Sequence, residues 1–464
     1  MPSASRSRWL PWVALACLVV PMFASYYFDD MFSSISSLFE NPSLTVLGWD
    51  AAGYGLYAGG YSVLCVFGGL VIGGILLDKW GVRVSGSLFV GMMVLGAGIV
   101  TLALLRGGSA SLSLAYVGVM LFGLGSEIAG TAVTRSIAKW FRGGPMALAM
   151  GLQLAIARLG TAFALVLSPA LVKEQAGHVY TLSETARPAL VGMGLMALGL
   201  ILWAVFVALD AKAFRKNAPE KDASSGASAL SSATEEAAYP DKKEDEEAFR
   251  FKDVLGVLGN KNFWLLGLLC VLFYSSIIAF KKFAGAILIP RFDIPASAAG
   301  WMVSMLPFST VVFAPLFGLM VDRFGRGTRW MVLGAVLALI AHVLLAFAPQ
   351  GVPFWGYLSM VFLGFGYSLV PAALWPSVPK IVPDKVLGTT FALIYWVQNL
   401  GLLSFKMLAG NILGSYSGQS ESGPFAVELM FVALCVAALV TALLFARTSS
   451  RNPSLGLDAP NRKK

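Results

Sequence analysis

The segment GILLDKWGVR spans residues 74–83, and a close copy, GLMVDRFGR, spans residues 318–326. The aspartates of the two copies lie 244 positions apart in a chain of 464 residues. A second pair of related segments, SIAK at residues 136–139 and SVPK at residues 377–380, lies 241 positions apart. Two repeats at nearly the same spacing indicate that the chain consists of two related halves.

The composition around these repeats is that of a membrane protein. Apolar residues make up 57% of the chain and charged residues 13%, whereas average soluble domains have roughly 45–50% and about 25%. A stretch of about 20 apolar residues can cross a bilayer as a helix. The sequence therefore predicts an all-α membrane protein with twelve transmembrane helices in two pseudo-symmetric six-helix bundles. The predicted helices lie at about 9–30, 50–77, 85–105, 111–138, 145–172, 188–209, 262–289, 297–321, 330–348, 353–379, 387–413 and 425–446.

One long polar stretch separates the sixth predicted helix from the seventh. Residues 211–260 are rich in Ser, Ala and charged residues and hold too little apolar material to fold by themselves. We therefore predict an N-terminal bundle at residues 1–210, a cytoplasmic linker at 211–260 and a C-terminal bundle at 261–448. Residues 449–464 follow as a cytoplasmic tail.

Basic residues are distributed unevenly between the two ends of the predicted helices. Twelve Lys and Arg residues fall near the helix ends on the side of the termini, and four on the other side. Because basic loops stay in the cytoplasm, both termini are predicted to be cytoplasmic. The N-terminal region shows no acidic-dileucine signal for lysosomal sorting, so we expect the plasma (inner) membrane.

The composition also limits the classes of function. The net charge is +9, but the basic residues form short clusters between apolar runs, which argues against nucleic-acid binding. The chain has two histidines, no HExxH motif and no Gly-Lys dipeptide, which argues against a histidine-rich metal site and a P-loop ATPase. We expect no metal, no cofactor and no enzymatic activity. The expected partners are a small-molecule substrate and the lipid bilayer.

The repeated segment resembles the loop signature of the major facilitator superfamily of membrane transporters. Its glycine allows two helices to approach closely, and its aspartate can bind basic side chains and the N–H groups of the next helix. The resemblance implies a cytoplasmic gate that opens when the two halves rock. A charge cluster that only sets the membrane topology is the alternative. The predicted gate residues are Asp78, Lys79, Arg83, Asp322, Arg323 and Arg326.

A closer resemblance covers most of the chain outside the linker. The segments that carry it are KWFRG at 139–143, GLQLAIARLG at 151–160, ALWP at 373–376, VLGT at 386–389 and QNLG at 398–401. With these segments the sequence resembles the lysosomal dipeptide transporter family and its bacterial relatives. The resemblance implies that Glu127 faces the amino end of a dipeptide and Arg158 its carboxylate. A structural ion pair between these two residues is the alternative.

Three lysines depart from that family, whose members are largely apolar at these positions. Lys281 and Lys282 lie in the seventh predicted helix and Lys406 in the eleventh. Adjacent helical residues point about 100° apart, so only one of the first two can face a central cavity. That lysine and Lys406 could hold one carboxylate, or each could reach toward the outer headgroups. In having cations in its C-terminal half, the chain also resembles the bacterial oxalate/formate-type organic-anion exchangers.

Four uncharged residues complete the predicted substrate site. Tyr26 combines an apolar ring with a hydroxyl near the outer mouth, although a role in the interfacial aromatic belt is equally consistent. Trp375 precedes a proline in the tenth helix, and Gln398 and Asn399 are adjacent amides within the eleventh. Amides inside a membrane require a hydrogen-bonding neighbour or ligand.

Together these features predict a secondary transporter of dipeptides or short peptides that works by alternating access as a uniporter. The alternatives are an organic-anion (dicarboxylate-type) exchanger and a proton-coupled symporter. The sequence leaves the side-chain preference, any accessory subunit and the oligomeric state open.

Overall fold

A computed structural model describes residues 9–39, 44–141, 145–173, 178–215, 256–382, 387–416 and 422–460. Twelve helices in these ranges are long and apolar enough to cross a membrane, and the ranges contain no β-strand, which confirms the predicted all-α fold. Most of the predicted linker, residues 216–255, lies outside the described residues. The helices are α1 (Leu10–Phe39), α2 (Ala51–Leu77), α3 (Lys79–Arg106), α4 (Ser111–Trp140), α5 (Leu148–Val172), α6 (Leu182–Phe214), α7 (Lys261–Lys282), α8 (Ala296–Phe324), α9 (Gly327–Phe347), α10 (Pro353–Lys380), α11 (Thr390–Ser415) and α12 (Ser422–Arg451).

The helices form two bundles that meet along two seams. Helices α1–α6 pack mainly on each other, as do α7–α12, while α2 packs against α11 and α5 against α8 across the interface. Glycines allow the close approach at the first seam, since a Cβ on Gly55 would lie 2.8 Å from the Cα of Gly410. We call the side where α1 begins and α12 ends the terminal face, and the opposite side the loop face.

Helix α7 is shorter than its apolar run predicts. It ends at Lys282, and a short helix, Ala284–Phe292, follows after Phe283. The hydroxyl of Tyr54 on α2 donates to the carbonyl of Lys282 at 2.8 Å. This hydrogen bond satisfies a backbone acceptor that the break releases, and it ties the end of α7 to the N-terminal bundle.

Helix α2 is interrupted near its middle. Residues Cys65–Gly69 form a π-helical turn in which Gly68 has a φ of +92°, a value that favours glycine. The Trp396 indole on α11 donates to the carbonyl of Val66 at 2.8 Å. A side chain from the C-terminal bundle therefore satisfies a carbonyl at the irregular turn of the N-terminal bundle.

Candidate functional site

Glu127 projects from α4 and contacts a tyrosine hydroxyl on α2, while the adjacent Ser126 contacts α1. The Tyr61 hydroxyl on α2 lies 3.1 Å from Glu127 Oε1 and 3.2 Å from Ser126 Oγ. Ser126 in turn lies 2.5 Å from Ser25 Oγ on α1. No basic side chain among the described residues lies within 4.0 Å of the Glu127 carboxylate. The carboxylate is therefore held by neutral groups, without an ion pair.

Arg158 projects from α5 and lies between two tyrosines. Its Nη1 donates to the Tyr367 hydroxyl on α10 at 2.7 Å. The guanidinium carbon lies 5.2 Å from the ring centroid of Tyr367 and 5.7 Å from that of Tyr26. Aromatic faces stabilise a cation without neutralising it. Within the described residues, Arg158 and Glu127 form no ion pair with each other.

Lys406 is also buried without a carboxylate. Lys406 is 2% exposed, and its Nζ lies 5.4 Å from the centroid of the Tyr61 ring. In the part of the chain that the structure describes, no acidic group lies within 4.0 Å of this Nζ. We call Glu127, Arg158 and Lys406 the central charges.

Lys281 and Lys282 are arranged differently, because each has acidic partners on α1. Lys281 Nζ lies 2.6 Å from Asp30 Oδ2, and Lys282 Nζ lies 2.8 Å from Asp29 Oδ2 and 3.0 Å from Asp30 Oδ1. Lys282 also donates to the Asp29 carbonyl. We call these four residues the loop-face cluster. They join the two bundles, and the structure brings Lys281 to Asp30 where the sequence had suggested a carboxylate shared with Lys406.

Thr161 connects the loop-face cluster to the site around Arg158. It lies three residues after Arg158 on α5, and its hydroxyl donates to Asp30 Oδ2 at 2.8 Å. A small cavity lies between Arg158 and Lys281 of the loop-face cluster. It is lined by Arg158, Thr161, Ile277, Ile278, Lys281, Leu306, Pro307 and Tyr367.

The other predicted site residues lie on the wall formed by the C-terminal bundle. The Trp375 indole donates to the Tyr274 hydroxyl at 3.0 Å. Gln398 Oε1 accepts a hydrogen bond from the Cys270 thiol at 3.5 Å, and Asn399 Nδ2 donates to the Tyr395 carbonyl at 3.1 Å. These amides are thus partly satisfied within the protein, while Asn399 Oδ1 is buried with no hydrogen-bond partner among the described residues.

An aromatic path joins that wall to Arg158. Tyr367 packs at 6.2 Å on Tyr274, which lies 6.4 Å from Trp375, and Trp375 stacks at 5.0 Å on Tyr395. Sequence reasoning missed Tyr367 and Tyr274. The available signal was a tyrosine hydroxyl placed in the middle of an apolar span, which requires a partner.

On the terminal face, the predicted gate residue Arg83 binds within its own bundle. Its Nε lies 2.6 Å from Asp210 Oδ2 on α6, and Lys139 Nζ lies 3.1 Å from the same carboxylate. The Trp140 indole donates to Asp210 Oδ1 at 2.9 Å. We call Arg83, Lys139, Trp140 and Asp210 the Asp210 cluster. The sequence analysis missed Asp210, the residue at its centre.

The second signature segment contacts the C-terminal tail. The Asp458 carboxylate accepts from the Thr328 amide at 2.9 Å and from the Ser449 hydroxyl at 2.7 Å, while its carbonyl accepts from the Arg326 amide at 2.8 Å. The Arg323 guanidinium lies 5.6 Å from the Phe324 ring centroid.

The remaining predicted gate residues are Lys79, Asp322 and Asp78. Lys79 is exposed and Asp322 is half-buried. The Asp78 side chain lies outside the described ones.

Two related six-helix bundles with charged residues buried at their interface define a multi-pass membrane transporter. The sequence pattern of the Major Facilitator Superfamily matches residues 15–290 and 283–463, so the chain belongs to this superfamily of transporters and is not an enzyme.

The chain is also similar to proteins named lysosomal dipeptide transporter MFSD1. The one from Danio rerio is 29% identical over 452 residues, which cover 95% of this chain and 88% of the relative. The one from Homo sapiens is 27% identical over 397 residues, which cover 84% of this chain and 76% of the relative. These matches confirm the predicted resemblance.

A solved structure supports the fold. The inward-facing, occupied structure of a bacterial homologue of the human lysosomal transporter Spinster superposes with a TM-score of 0.68 at 15% identity, covering 96% of this chain and 98% of the other.

Proposed function

We propose that the protein carries dipeptides or short peptides across the membrane by alternating access, as a uniporter. The separation of Glu127 from Arg158 carries this proposal, because the site holds two opposite charges that do not pair with each other. An ionisable residue within a membrane helix costs about 3 kcal/mol. A ligand with an ammonium and a carboxylate would neutralise both charges. The names of the relatives support a dipeptide as that ligand.

Each end of the proposed ligand has a receptor. The ammonium binds the Glu127 carboxylate, which the Tyr61 hydroxyl orients at 3.1 Å. The terminal carboxylate binds Arg158, whose planar guanidinium can donate two parallel hydrogen bonds. The Tyr367 hydroxyl takes one N–H of that guanidinium, which leaves further donors for the ligand.

The rival functions have weaker support. An organic-anion exchanger would use several cations, yet Lys281 and Lys282 each have an aspartate within 2.8 Å. Glu127 would also repel a second carboxylate in the same site. A proton-coupled symporter would use Glu127 as its proton acceptor, and uptake would then follow the pH gradient.

Alternating access assigns opposite roles to the two faces. The loop-face cluster joins the bundles in the present conformation, and we propose that it keeps the loop face closed. In the other conformation the bundles meet at the terminal face, where we propose that the signature residues Asp78, Lys79, Arg83, Asp322, Arg323 and Arg326 act as the gate.

The membrane orientation and location are separate questions. The excess of basic residues on the terminal face supports cytoplasmic termini. The relatives named as lysosomal transporters give no support to the predicted plasma-membrane location. The proposed transport chemistry is the same in either membrane.

The experiment that tests the proposed function compares ligands by thermal stabilisation of the purified protein. A ligand that binds only the folded state raises its stability. We expect stabilisation by Ala-Ala and none by alanine amide or succinate. Uptake of labelled Ala-Ala into proteoliposomes without a pH gradient then identifies uniport. Stabilisation by succinate alone would favour the anion exchanger, and uptake only with a pH gradient would favour the symporter.

A further inference from the structure

We propose that Lys406 forms a side-chain subsite that selects an acidic first residue in the dipeptide. The inference rests on the proposed function, because it assumes that Glu127 binds the ammonium and Arg158 the carboxylate of the ligand. It adds a position-specific preference, which neither the relatives nor the fold supplies.

Lys406 lies inside the protein at the seam between the two bundles. Its residue is 2% exposed, and its backbone carbonyl would lie 3.0 Å from a Cβ placed on Gly55 of α2. A lysine that extends toward lipid headgroups keeps its ammonium in water or at the interface. The burial of Lys406 between α11 and α2 instead directs its positive charge toward the interior of the transporter.

No carboxylate among the described residues lies within 4.0 Å of the Lys406 Nζ. Lys406 Nζ instead faces the Tyr61 ring, whose centroid lies 5.4 Å away. An aromatic face stabilises a cation less than an ion pair does in a site shielded from water. Lys406 is therefore the one lysine of the predicted set, Lys281, Lys282 and Lys406, with no recorded ion pair.

Tyr61 places Lys406 near the amino end of the ligand. The ring contacts Lys406 and the hydroxyl lies 3.1 Å from Glu127 Oε1, so a single side chain separates the cation from the proposed ammonium receptor. In a dipeptide, the side chain of the first residue is attached to the carbon that carries the ammonium. An acidic group on that side chain can reach Lys406 while the ammonium stays on Glu127.

Near Arg158, which is proposed to bind the terminal carboxylate, no cation equivalent to Lys406 is available among the described residues for the side chain of the second residue. The cation nearest Arg158 in the cavity is Lys281, and Asp30 already occupies it at 2.6 Å. The groups that flank Arg158 are the rings of Tyr26 and Tyr367. An acidic second residue would therefore enter a subsite with aromatic walls and a neutralised lysine.

The experiment measures competition by four dipeptides, Ala-Ala, Glu-Ala, Ala-Glu and Lys-Ala, against labelled Ala-Ala bound to the wild-type protein. A hydrogen-bonded charge contact predicts that Glu-Ala binds about tenfold or more tightly than Ala-Glu. Lys-Ala should bind more weakly than Ala-Ala, because its side chain approaches a like charge. This comparison uses only the wild-type protein and does not depend on the folding of a variant.

Two variants assign the preference to Lys406. Lys406→Met should abolish the preference for Glu-Ala over Ala-Glu, and Lys406→Arg should preserve it. Equal binding of Glu-Ala and Ala-Glu by the wild type, with Ala-Ala bound, would overturn the subsite and leave the proposed function standing. Absence of binding by all four dipeptides would overturn both.

Discussion

The loop-face cluster and the central charges lie at the same interface but satisfy their charges differently. Asp29, Asp30, Lys281 and Lys282 form three ion pairs of 2.6–3.0 Å across the interface. The central charges, by contrast, contact hydroxyl groups and aromatic rings, with no ion pair among the described residues. The protein therefore supplies counter-charges for the loop-face cluster, whereas under the proposed function a ligand supplies those of the central charges.

This difference distinguishes closing the transporter from binding its substrate. Ion pairs between the bundles form only when the bundles are together, so they stabilise one conformation over the other. Charges without partners remain costly in every conformation until a ligand neutralises them. The distinction predicts that substitutions at the centre reduce binding, whereas substitutions at the loop face shift the balance of conformations.

The largest effect is expected from Arg158→Ala, which removes the proposed receptor of the terminal carboxylate. A ligand carboxylate left buried without its partner costs about 3–5 kcal/mol, so uptake of Ala-Ala should fall by about 100-fold or more. The measurement is initial uptake into proteoliposomes. Thermal unfolding without ligand should change little, because Arg158 has no ion pair in the described structure.

Arg158→Lys serves as the matched control for that prediction. It keeps the positive charge but loses the planar donor geometry, so it should retain only part of the activity. Uptake by Arg158→Ala at the wild-type rate would exclude Arg158 from the substrate site.

The next largest effect is expected when the dipeptide loses its ammonium, the group that Glu127 is proposed to bind. N-acetylation removes the ammonium, so acetylated Ala-Ala should bind the wild type about 10–150-fold more weakly than free Ala-Ala. Glu127→Gln should reduce this ratio to near unity, since the amide no longer distinguishes a charged from a neutral amino end. Isothermal titration measures both ratios. A ratio that stays high in Glu127→Gln would place the ammonium elsewhere.

Asp30→Asn tests the loop-face cluster. It leaves Lys281 buried without a carboxylate in the closed conformation, and a loss of 1–3 kcal/mol from one conformation changes its population about 5–150-fold. A cysteine at Ser36, which is 2% exposed in the closed form, should react faster with maleimide in Asp30→Asn. The background for this measurement lacks the four native cysteines.

The double variant Asp30→Asn/Lys281→Met provides the control. It removes the unpaired cation, and Lys282 keeps Asp29 as its partner at 2.8 Å. Its labelling rate should return toward that of the parent. Equal rates in the parent and in Asp30→Asn would mean that these ion pairs do not hold the loop face closed.

The fold was predictable because the signals extend over long stretches of sequence. Apolar runs specify twelve spans, and the 74–83 and 318–326 repeats specify two related halves. The local breaks were not predictable in the same way. At the end of α7, the Lys282 carbonyl accepts a hydrogen bond from Tyr54, which is 228 positions away in the sequence, and apolar periodicity carries no information about such a contact.

The residues of the candidate site could be selected from the sequence only one at a time, and their role in binding remains a proposal. Glu127, Arg158 and Lys406 stood out because charges are rare inside apolar runs. Their partners did not, since pairings such as Lys281 with Asp30 join residues 251 positions apart. Carboxylates near helix ends, such as Asp210 and Glu428, resemble ordinary loop residues in sequence, although Glu428 lies 2.9 Å from His342 in the core.

The terminal face allows the same comparison of paired charges within single bundles. Asp210 is 3% exposed. It forms ion pairs with Arg83 and Lys139 and accepts a hydrogen bond from the Trp140 indole. On the same face of the C-terminal bundle, Asp458 in the tail is half-buried and accepts hydrogen bonds from hydroxyl and amide groups. One aspartate thus neutralises cations while the other caps the start of α9, so the two contribute different free energies.

The smallest effect is therefore expected from Asp458→Asn. An asparagine side chain still accepts hydrogen bonds at a helix start, and even complete loss of such a cap costs only about 1 kcal/mol. Asp210→Asn removes the counter-charge of Arg83 and Lys139, which are partly exposed to solvent, and should cost about 1–2 kcal/mol. Thermal unfolding of the purified variants should therefore show a clearly larger fall in Tm for Asp210→Asn.

The control for the loss of one carboxylate is Asp293→Asn, a substitution at an exposed position. If Asp458→Asn lowered Tm as much as Asp210→Asn, the C-terminal tail would stabilise its bundle as strongly as α6 stabilises the other, and the comparison between paired charges and capping groups would fail at this face.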